Sequence, residues 1–307
     1  MPIKIITKSL LLILTCIYVT VAVMREPDSD YKVYIELYNS FTSLAECRSD
    51  MLFCVILGAG NYLEIGSQVF FWIILTGAIG SVLLNYSDRY IDNRISSGIF
   101  IIVMIVIYFN VVLSYYMLGH LMRQNLAVLL MLLLLPLNGK LAIIVSSFFH
   151  FSIVVVGLFY FALKKLPLNY GGTRFRVFFP SFLILIYLLV YDVGNLVLFV
   201  DFTGIQFIDS LIKVYQTGNP TLDNLWGLSG YTIILSLICS KYLNFDNRIH
   251  RDLFLLFISS IIISFLCGFS DIIFYRFLNV AKLLSLPLWI IVIGIITKPN
   301  RTLKKII

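Results

Sequence analysis

The side chains best suited to chemistry in this sequence are arginines that lie beside apolar runs, together with one histidine inside such a run. Arg25, Arg123 and Arg276 flank apolar runs, and His150 lies near the middle of another. An arginine guanidinium binds phosphate or diphosphate through paired, permanently charged hydrogen bonds. A neutral histidine accepts a proton from a hydroxyl group near pH 7. The combination predicts group transfer from a lipid-linked diphosphate, with arginines stabilising the leaving group and His150 activating the acceptor.

Each of these residues also has a plainer interpretation. In it, Arg123 and Arg276 are interfacial anchors at helix ends, and His150 is a polar residue satisfied between helices. Arg25 is then a solvated loop residue, and Asp30 pairs with a nearby cation. Both interpretations stay open on the residue pattern alone.

Other side chains near the same runs are candidate binding groups. Tyr34 follows the first apolar run and has a ring that suits stacking on a sugar. Lys282 adds a cation at the start of the last run. No spacing typical of a metal site is present, so we expect the arginines to replace a metal cation, and we expect no cofactor. Cys47 and Cys54 share the first long loop, where a disulfide remains an open question.

The elements that must position these residues are membrane-spanning helices. Of the 307 residues, 60% are apolar and only 13% are charged, whereas about a quarter of a soluble domain is charged. In hydrocarbon the backbone must satisfy its own hydrogen bonds, so a span is a helix of roughly 20 apolar residues. The net charge of +7 comes from basic residues scattered singly between the runs, which indicates topology and not nucleic-acid binding. The sequence therefore predicts an all-α polytopic membrane bundle.

Eight apolar runs bounded by charges, proline or glycine are candidate spans. They cover residues 9–24, 67–85, 98–117, 124–137, 177–200, 229–243, 253–272 and 278–297. We interpret residues 25–66 as an outer loop that contains an interfacial helix over residues 50–62. Residues 201–228 form a second outer loop. The whole chain, residues 1–307, is expected to be a single transmembrane domain.

A ninth apolar run, residues 141–163, is interrupted by three serines and by His150 at its centre. If it crosses once and the N-terminus is inside, eight of the 23 Lys and Arg residues lie inside and fifteen outside, against the positive-inside rule. If residues 140–165 instead form a re-entrant hairpin, sixteen lie inside and seven outside. Non-helical backbone at membrane depth is tolerated where it lines protein or a watery cavity. The charge bias therefore predicts a hairpin whose tip, with His150, faces an outer cavity near the arginines.

The order of the motifs carries a family resemblance. Residues 123–127 read Arg-Gln-Asn-Leu-Ala, followed by leucines, Lys140 and the Phe-His-Phe-Ser of residues 149–152. This order is similar to the RQ-x-x-A … K … FH-x-S core of the EpsG/Wzy-like polysaccharide polymerases. The segment from Arg25 through Asp30 to Tyr34 resembles the family's outer-loop R … D-x-x-x-Y, although it lacks the Gly-Thr-Asp often seen there. Arg276 resembles the family's late arginine.

The resemblance implies a multi-pass glycosyltransferase of the bacterial inner membrane, with glycosyltransferase-C-like architecture and an outward, periplasmic active face. It would join undecaprenyl-diphosphate-linked repeat units into O-antigen of lipopolysaccharide, capsule or exopolysaccharide, without a metal. Its implied partners are that lipid-linked glycan, membrane lipid and, optionally, a chain-length regulator, with no nucleic acid. The expected catalytic residues are His150 and Arg123, and the expected substrate-binding residues are Arg25, Asp30, Tyr34, Arg276 and Lys282.

The alternative function is a transporter or flippase for a lipid-linked or anionic substrate, because a cationic cavity also suits such cargo. Secondary transporters commonly carry internal repeats and paired broken helices. This sequence has one break and no evident repeat, which favours the enzyme.

Overall fold

The regular structure of the described chain is helical throughout. The computed structural model describes residues 3–26, 29–41, 51–91, 121–167, 169–197, 230–268 and 270–296. Within these ranges there is no strand, and the eleven helices are α1 (Ile3–Val23), α2 (Ser29–Asn39), α3 (Met51–Tyr62), α4 (Ser67–Tyr90), α5 (Met122–Leu134), α6 (Gly139–Ser147), α7 (Ser152–Lys165), α8 (Thr173–Val197), α9 (Gly230–Tyr242), α10 (Arg248–Leu266) and α11 (Asp271–Ile296). The predicted all-α class is confirmed for this part of the chain.

Five of the described helices, α1, α4, α8, α10 and α11, are long and apolar enough to cross a membrane. They correspond to the predicted spans 9–24, 67–85, 177–200, 253–272 and 278–297. Where we expected a span at 124–137, α5 has 13 residues, and where we expected one at 229–243, the described residues of α9 also number 13. Such helices are about 20 Å long, whereas the hydrocarbon core is roughly 30 Å thick. The predicted span 98–117 and the predicted loop 201–228 lie outside the described residues.

The chain divides into two compact units, Met1–Phe151 with Leu286–Ile307, and Ser152–Ser285. In the first unit α1 and α4 pack as an antiparallel pair. Lys8 Nζ lies 2.5 Å from an Asp88 carboxylate oxygen. Towards the opposite ends of the two helices, Trp72 Nε1 donates to Thr20 Oγ1 at 2.8 Å. These contacts fix the register of the pair.

Helix α2 lies where the sequence predicted a loop. Its tyrosines follow a spacing of three and four residues, which places Tyr31, Tyr34 and Tyr38 on one face, and all three are buried. Lys32 and Glu36 lie on the exposed face, 3.9 Å apart. The predicted outer loop 25–66 therefore contains two helices, α2 and α3, and not one.

The predicted interruption of the run 141–163 is present as a helix break. Helix α5 ends before Pro136, which cannot continue a helix, and the side chain of Asn138 caps α6 by accepting from the backbone N–H of Lys140 at 2.9 Å. Helix α6 ends at Ser147 and α7 begins at Ser152. Residues 148–151, which include His150, thus leave helical geometry, whereas the re-entrant depth of this segment stays a prediction.

The second unit gathers four helix ends at one place. Lys164 Nζ, at the end of α7, donates to Asp252 Oδ1, near the start of α10, at 2.9 Å. The short loop before α8 is held by Tyr170, whose hydroxyl donates to the Leu163 carbonyl at 2.7 Å. Its ring packs on Phe254. We call this region the basic end, because its cations are Lys164, Lys165, Arg174, Arg176, Lys241, Arg248 and Arg251.

Candidate functional site

Arg123 is held against the ring of Tyr34. Arg123 is the second residue of α5, and its guanidinium carbon lies 5.5 Å from the centroid of the Tyr34 ring. Tyr34 is 7% exposed, and its ring meets Phe53 of α3 edge to face at 5.8 Å. A cation over an aromatic ring is stabilised by about 0.5–1 kcal/mol at exposed sites and by about 2 kcal/mol when desolvated. Three helices therefore combine to position one guanidinium, which we call the Arg123 site (Tyr34, Phe53 and Arg123).

The position of Arg123 in its helix adds to its capacity to bind an anion. The first turn of a helix carries unsatisfied backbone N–H groups and the positive end of the helix dipole. Arg123 is half-buried in this first turn. Its positive charge therefore adds to the positive end of the helix dipole. The arrangement favours a phosphate or diphosphate over a neutral ligand.

Helix α3 joins the Arg123 site to the segment that carries His150. The backbone N–H of Leu52 donates to the carbonyl of Phe148, two residues before His150, at 3.4 Å. Leu52 directly precedes Phe53 of the Arg123 site. His150 itself is half-buried in the break after α6. The first turn of α3 thus contacts both the Tyr34 ring of the Arg123 site and the segment that carries His150.

Arg25 and Asp30 lie beside the start of α2. The Arg25 carbonyl accepts from Gln68 Nε2 at 3.3 Å, which fixes the backbone after α1. Both side chains are half-buried. The Tyr31 hydroxyl donates to the Val23 carbonyl at 2.5 Å, and burial raises its pKa far above the usual range, against the opposing effect of the nearby Arg25 charge. Arg25 is therefore close to the same aromatic face that carries Tyr34.

The last two predicted binding residues belong to the second unit. Arg276 and Lys282 lie on α11, where Arg276 is half-buried and Lys282 is 7% exposed. Asn279 and Ser285 are also buried, three residues to either side of Lys282. The Ser285 hydroxyl donates to the Lys282 carbonyl at 2.5 Å and lies 3.3 Å from the Tyr231 hydroxyl. These side chains give α11 a buried polar face.

Sequence reasoning missed the groups that support the candidate residues. Phe53 and the Phe148 carbonyl were not singled out, although the spacing of Tyr31, Tyr34 and Tyr38 could have indicated a helix with one aromatic face. Cys54 on α3 is disulfide-bonded, and Cys47 lies outside the described residues. In the described ranges no group of three His, Cys, Asp or Glu side chains is placed to hold a metal ion.

Comparison with known proteins gives a family for nearly the whole chain. The model of the EpsG family matches residues 8–307. No curated protein and no solved structure matches the chain. The family match covers both compact units and every candidate residue described above. The chain is therefore a member of the EpsG family of Wzy-like polymerases.

Proposed function

We propose that this protein polymerises undecaprenyl-diphosphate-linked repeat units into O-antigen, capsule or exopolysaccharide on the outer side of the bacterial inner membrane. Family membership over residues 8–307 carries the proposal. The Arg123 guanidinium in the first turn of α5 supports it, because its neighbour Tyr34 packs on α3, which also contacts the segment that carries His150. Such a site suits a substrate that presents a diphosphate beside a sugar.

In the proposed reaction, an acceptor hydroxyl oxygen attacks the anomeric carbon of a lipid-linked unit. The new glycosidic bond forms as the bond from that carbon to the lipid diphosphate breaks, and the electron pair leaves with the diphosphate. His150 takes the hydroxyl proton. Arg123 and the N-terminus of α5 stabilise the charge on the departing diphosphate. No metal or cofactor enters this scheme.

The remaining candidate residues would bind substrate. Arg25 supplies further positive charge for the diphosphate. Arg276 and Lys282, on α11 of the second unit, are proposed to bind substrate through their own positive charge. Asp30 can accept hydrogen bonds from sugar hydroxyls. Tyr34 positions Arg123 through its ring. A chain-length regulator is a further proposed partner.

The proposed topology has eight full spans and a re-entrant segment over residues 140–165, with the basic end facing the cytoplasm. Seven cations gather at that end, and cytoplasmic loops collect Lys and Arg. The disulfide at Cys54 supports an oxidising compartment for α3.

Cysteine labelling tests the topology. Asn169→Cys, on the exposed loop of the basic end, should resist an impermeant thiol reagent in intact cells and react after permeabilisation. Tyr62→Cys, which is 87% exposed at the end of α3, should react in both cases. Labelling of Asn169→Cys in intact cells would contradict the hairpin.

Surface glycan from a strain that lacks the protein tests the function. A polymerase predicts that single repeat units remain on the carrier lipid or its acceptor while the long-chain ladder disappears on a gel. A transporter or flippase predicts that single units disappear as well. Return of the ladder with the wild-type gene, and not with Arg123→Ala, would tie the effect to the Arg123 site.

A further inference from the structure

The second unit contains an apolar groove that the proposed reaction does not use. It has a volume of about 1190 Å³ and lies among α7, α8 and α10. Phe178, Phe182 and Leu185 of α8 line it and are exposed by 69%, 48% and 55%. Pockets for drug-sized ligands are roughly 300–1,000 Å³, so this groove suits a longer apolar ligand.

A smaller polar pocket adjoins the groove at the basic end. Its volume is about 340 Å³, and Lys164 and Arg251 contribute to its wall. Leu166, Asn169 and Tyr170 line both cavities, so the polar pocket and the groove share a wall. Arg174 lines the groove at the same end. The composite site therefore has a cationic mouth and an apolar body.

The charges at the mouth favour an anion. Asp252 lies 2.9 Å from Lys164 Nζ and 3.9 Å from Arg251 Nε. One carboxylate thus faces two cations, and Arg174 adds a third at the mouth of the groove. Arg251 Nε is buried and donates no hydrogen bond in the described part of the chain. A phosphate oxygen in the polar pocket would be a suitable acceptor.

The length of the groove fits one leaflet of a bilayer. Its lining on α8 runs from Thr173 to Leu185, a rise of about 18 Å at 1.5 Å per residue. Half of the hydrocarbon core is roughly 15 Å. An acyl chain that starts at the mouth would therefore end near the bottom of the groove.

We propose that this composite site binds an anionic diacyl phospholipid, with its headgroup phosphate at Lys164, Arg251 and Arg174 and an acyl chain in the groove. The occupant is a resident membrane lipid and not the lipid-linked sugar, because the groove ends after one leaflet and a polyprenyl carrier is longer than that. The site is independent of the proposed polymerase reaction. Its ligand would brace α7, α8 and α10 at the basic end.

Native mass spectrometry of the detergent-purified full chain tests this proposal. The protein is titrated with phosphatidylglycerol, with phosphatidylcholine of the same acyl chains, and with a polyprenyl monophosphate. We expect phosphatidylglycerol to be retained at least tenfold more tightly than either of the others. Equal retention of the two phospholipids, or preference for the polyprenyl phosphate, would overturn the proposal.

Variants locate the site on the chain. Arg174→Gln combined with Arg251→Gln should weaken phosphatidylglycerol retention about 30-fold, since each basic residue near an anionic lipid contributes roughly fivefold. Lys241→Gln removes a cation of the basic end that lines neither cavity, and it should retain the lipid.

Leu185→Trp should obstruct the groove, whereas Leu189→Trp, exposed on the same helix outside the groove lining, should not. Wild-type retention by the double variant or by Leu185→Trp would contradict the assignment.

Discussion

In the described part of the chain, two cations lie over buried tyrosine rings, Arg123 over Tyr34 and Lys164 over Tyr160. The difference between their surroundings distinguishes a structural role from a chemical one. Arg123 lies 5.5 Å from the Tyr34 centroid, and Lys164 lies 5.0 Å from the Tyr160 centroid. Lys164 is in the last turn of α7, at the negative end of the helix dipole, and it bonds to the carboxylate of Asp252. Arg123 is in the first turn of α5, at the positive end.

The two settings have opposite electrostatic consequences. The helix dipole and Asp252 both stabilise the charge of Lys164, so this cation serves as the partner of a buried carboxylate. At the Arg123 site the dipole adds to the positive charge, which makes an anion more favourable there. We therefore expect changes at Lys164 to alter stability and changes at Arg123 to alter activity.

Removal of the proposed catalytic groups should give the largest effect. His150→Ala and Arg123→Ala should each lower polymer formation by about 100-fold or more, which is the range for losing a general base or a charge-stabilising donor. The measurement is the rate of ladder formation in membranes supplied with lipid-linked repeat units.

The controls for this prediction use both regions. Arg123→Lys keeps the charge but loses the planar fork, so it should retain partial activity. Lys164→Met should retain near-normal activity per folded molecule. A normal ladder from both alanine variants would remove the proposed mechanism.

Breaking the Lys164–Asp252 pair should give the next largest effect. Lys164→Met removes the nearer cation of the Asp252 carboxylate, which is 3% exposed, and leaves only Arg251 Nε at 3.9 Å. We expect the free energy of unfolding to fall by about 2 kcal/mol, since a buried charge that loses its hydrogen-bonded partner is costly. Unfolding in detergent, followed by circular dichroism, measures this.

A double variant sharpens that test. Asp252→Asn added to Lys164→Met removes the buried carboxylate charge and should recover part of the lost stability. If the two substitutions are simply additive, the pair does not have the structural role that we assign to it.

Long apolar runs made most of the membrane fold predictable. Helices α1, α4, α8, α10 and α11 follow from composition, because a lipid-exposed backbone must be helical wherever about 20 apolar residues occur in sequence. The break at His150 was predictable from the serines that interrupt its run.

The supporting contacts of the site were not predictable in the same way. Helix α2 is short and polar on one side, and such a sequence predicts a loop. The approach of Tyr34 to Arg123 depends on the packing of α2 and α3 with α5, which lies far from both in the chain. No local pattern specifies such a long-range contact.

Changes to Tyr34 should give the smallest effect and test whether its ring positions Arg123. Tyr34→Leu removes the aromatic face and should lower polymerisation two- to fivefold, in proportion to a cation–π energy of about 0.5–1 kcal/mol. Tyr34→Phe keeps the ring and should remain near wild type. A large loss with Tyr34→Phe would instead indicate a role for the hydroxyl group in binding the glycan.

Reconstitution of the purified protein with an undecaprenyl-diphosphate-linked repeat unit tests the central claim most directly. In proteoliposomes that contain only this protein and its substrate, we predict a ladder of polymer and the release of undecaprenyl diphosphate in step with each new glycosidic bond. His150→Ala should produce neither. Movement of intact lipid-linked units across the bilayer, with no polymer and no released diphosphate, would contradict the account.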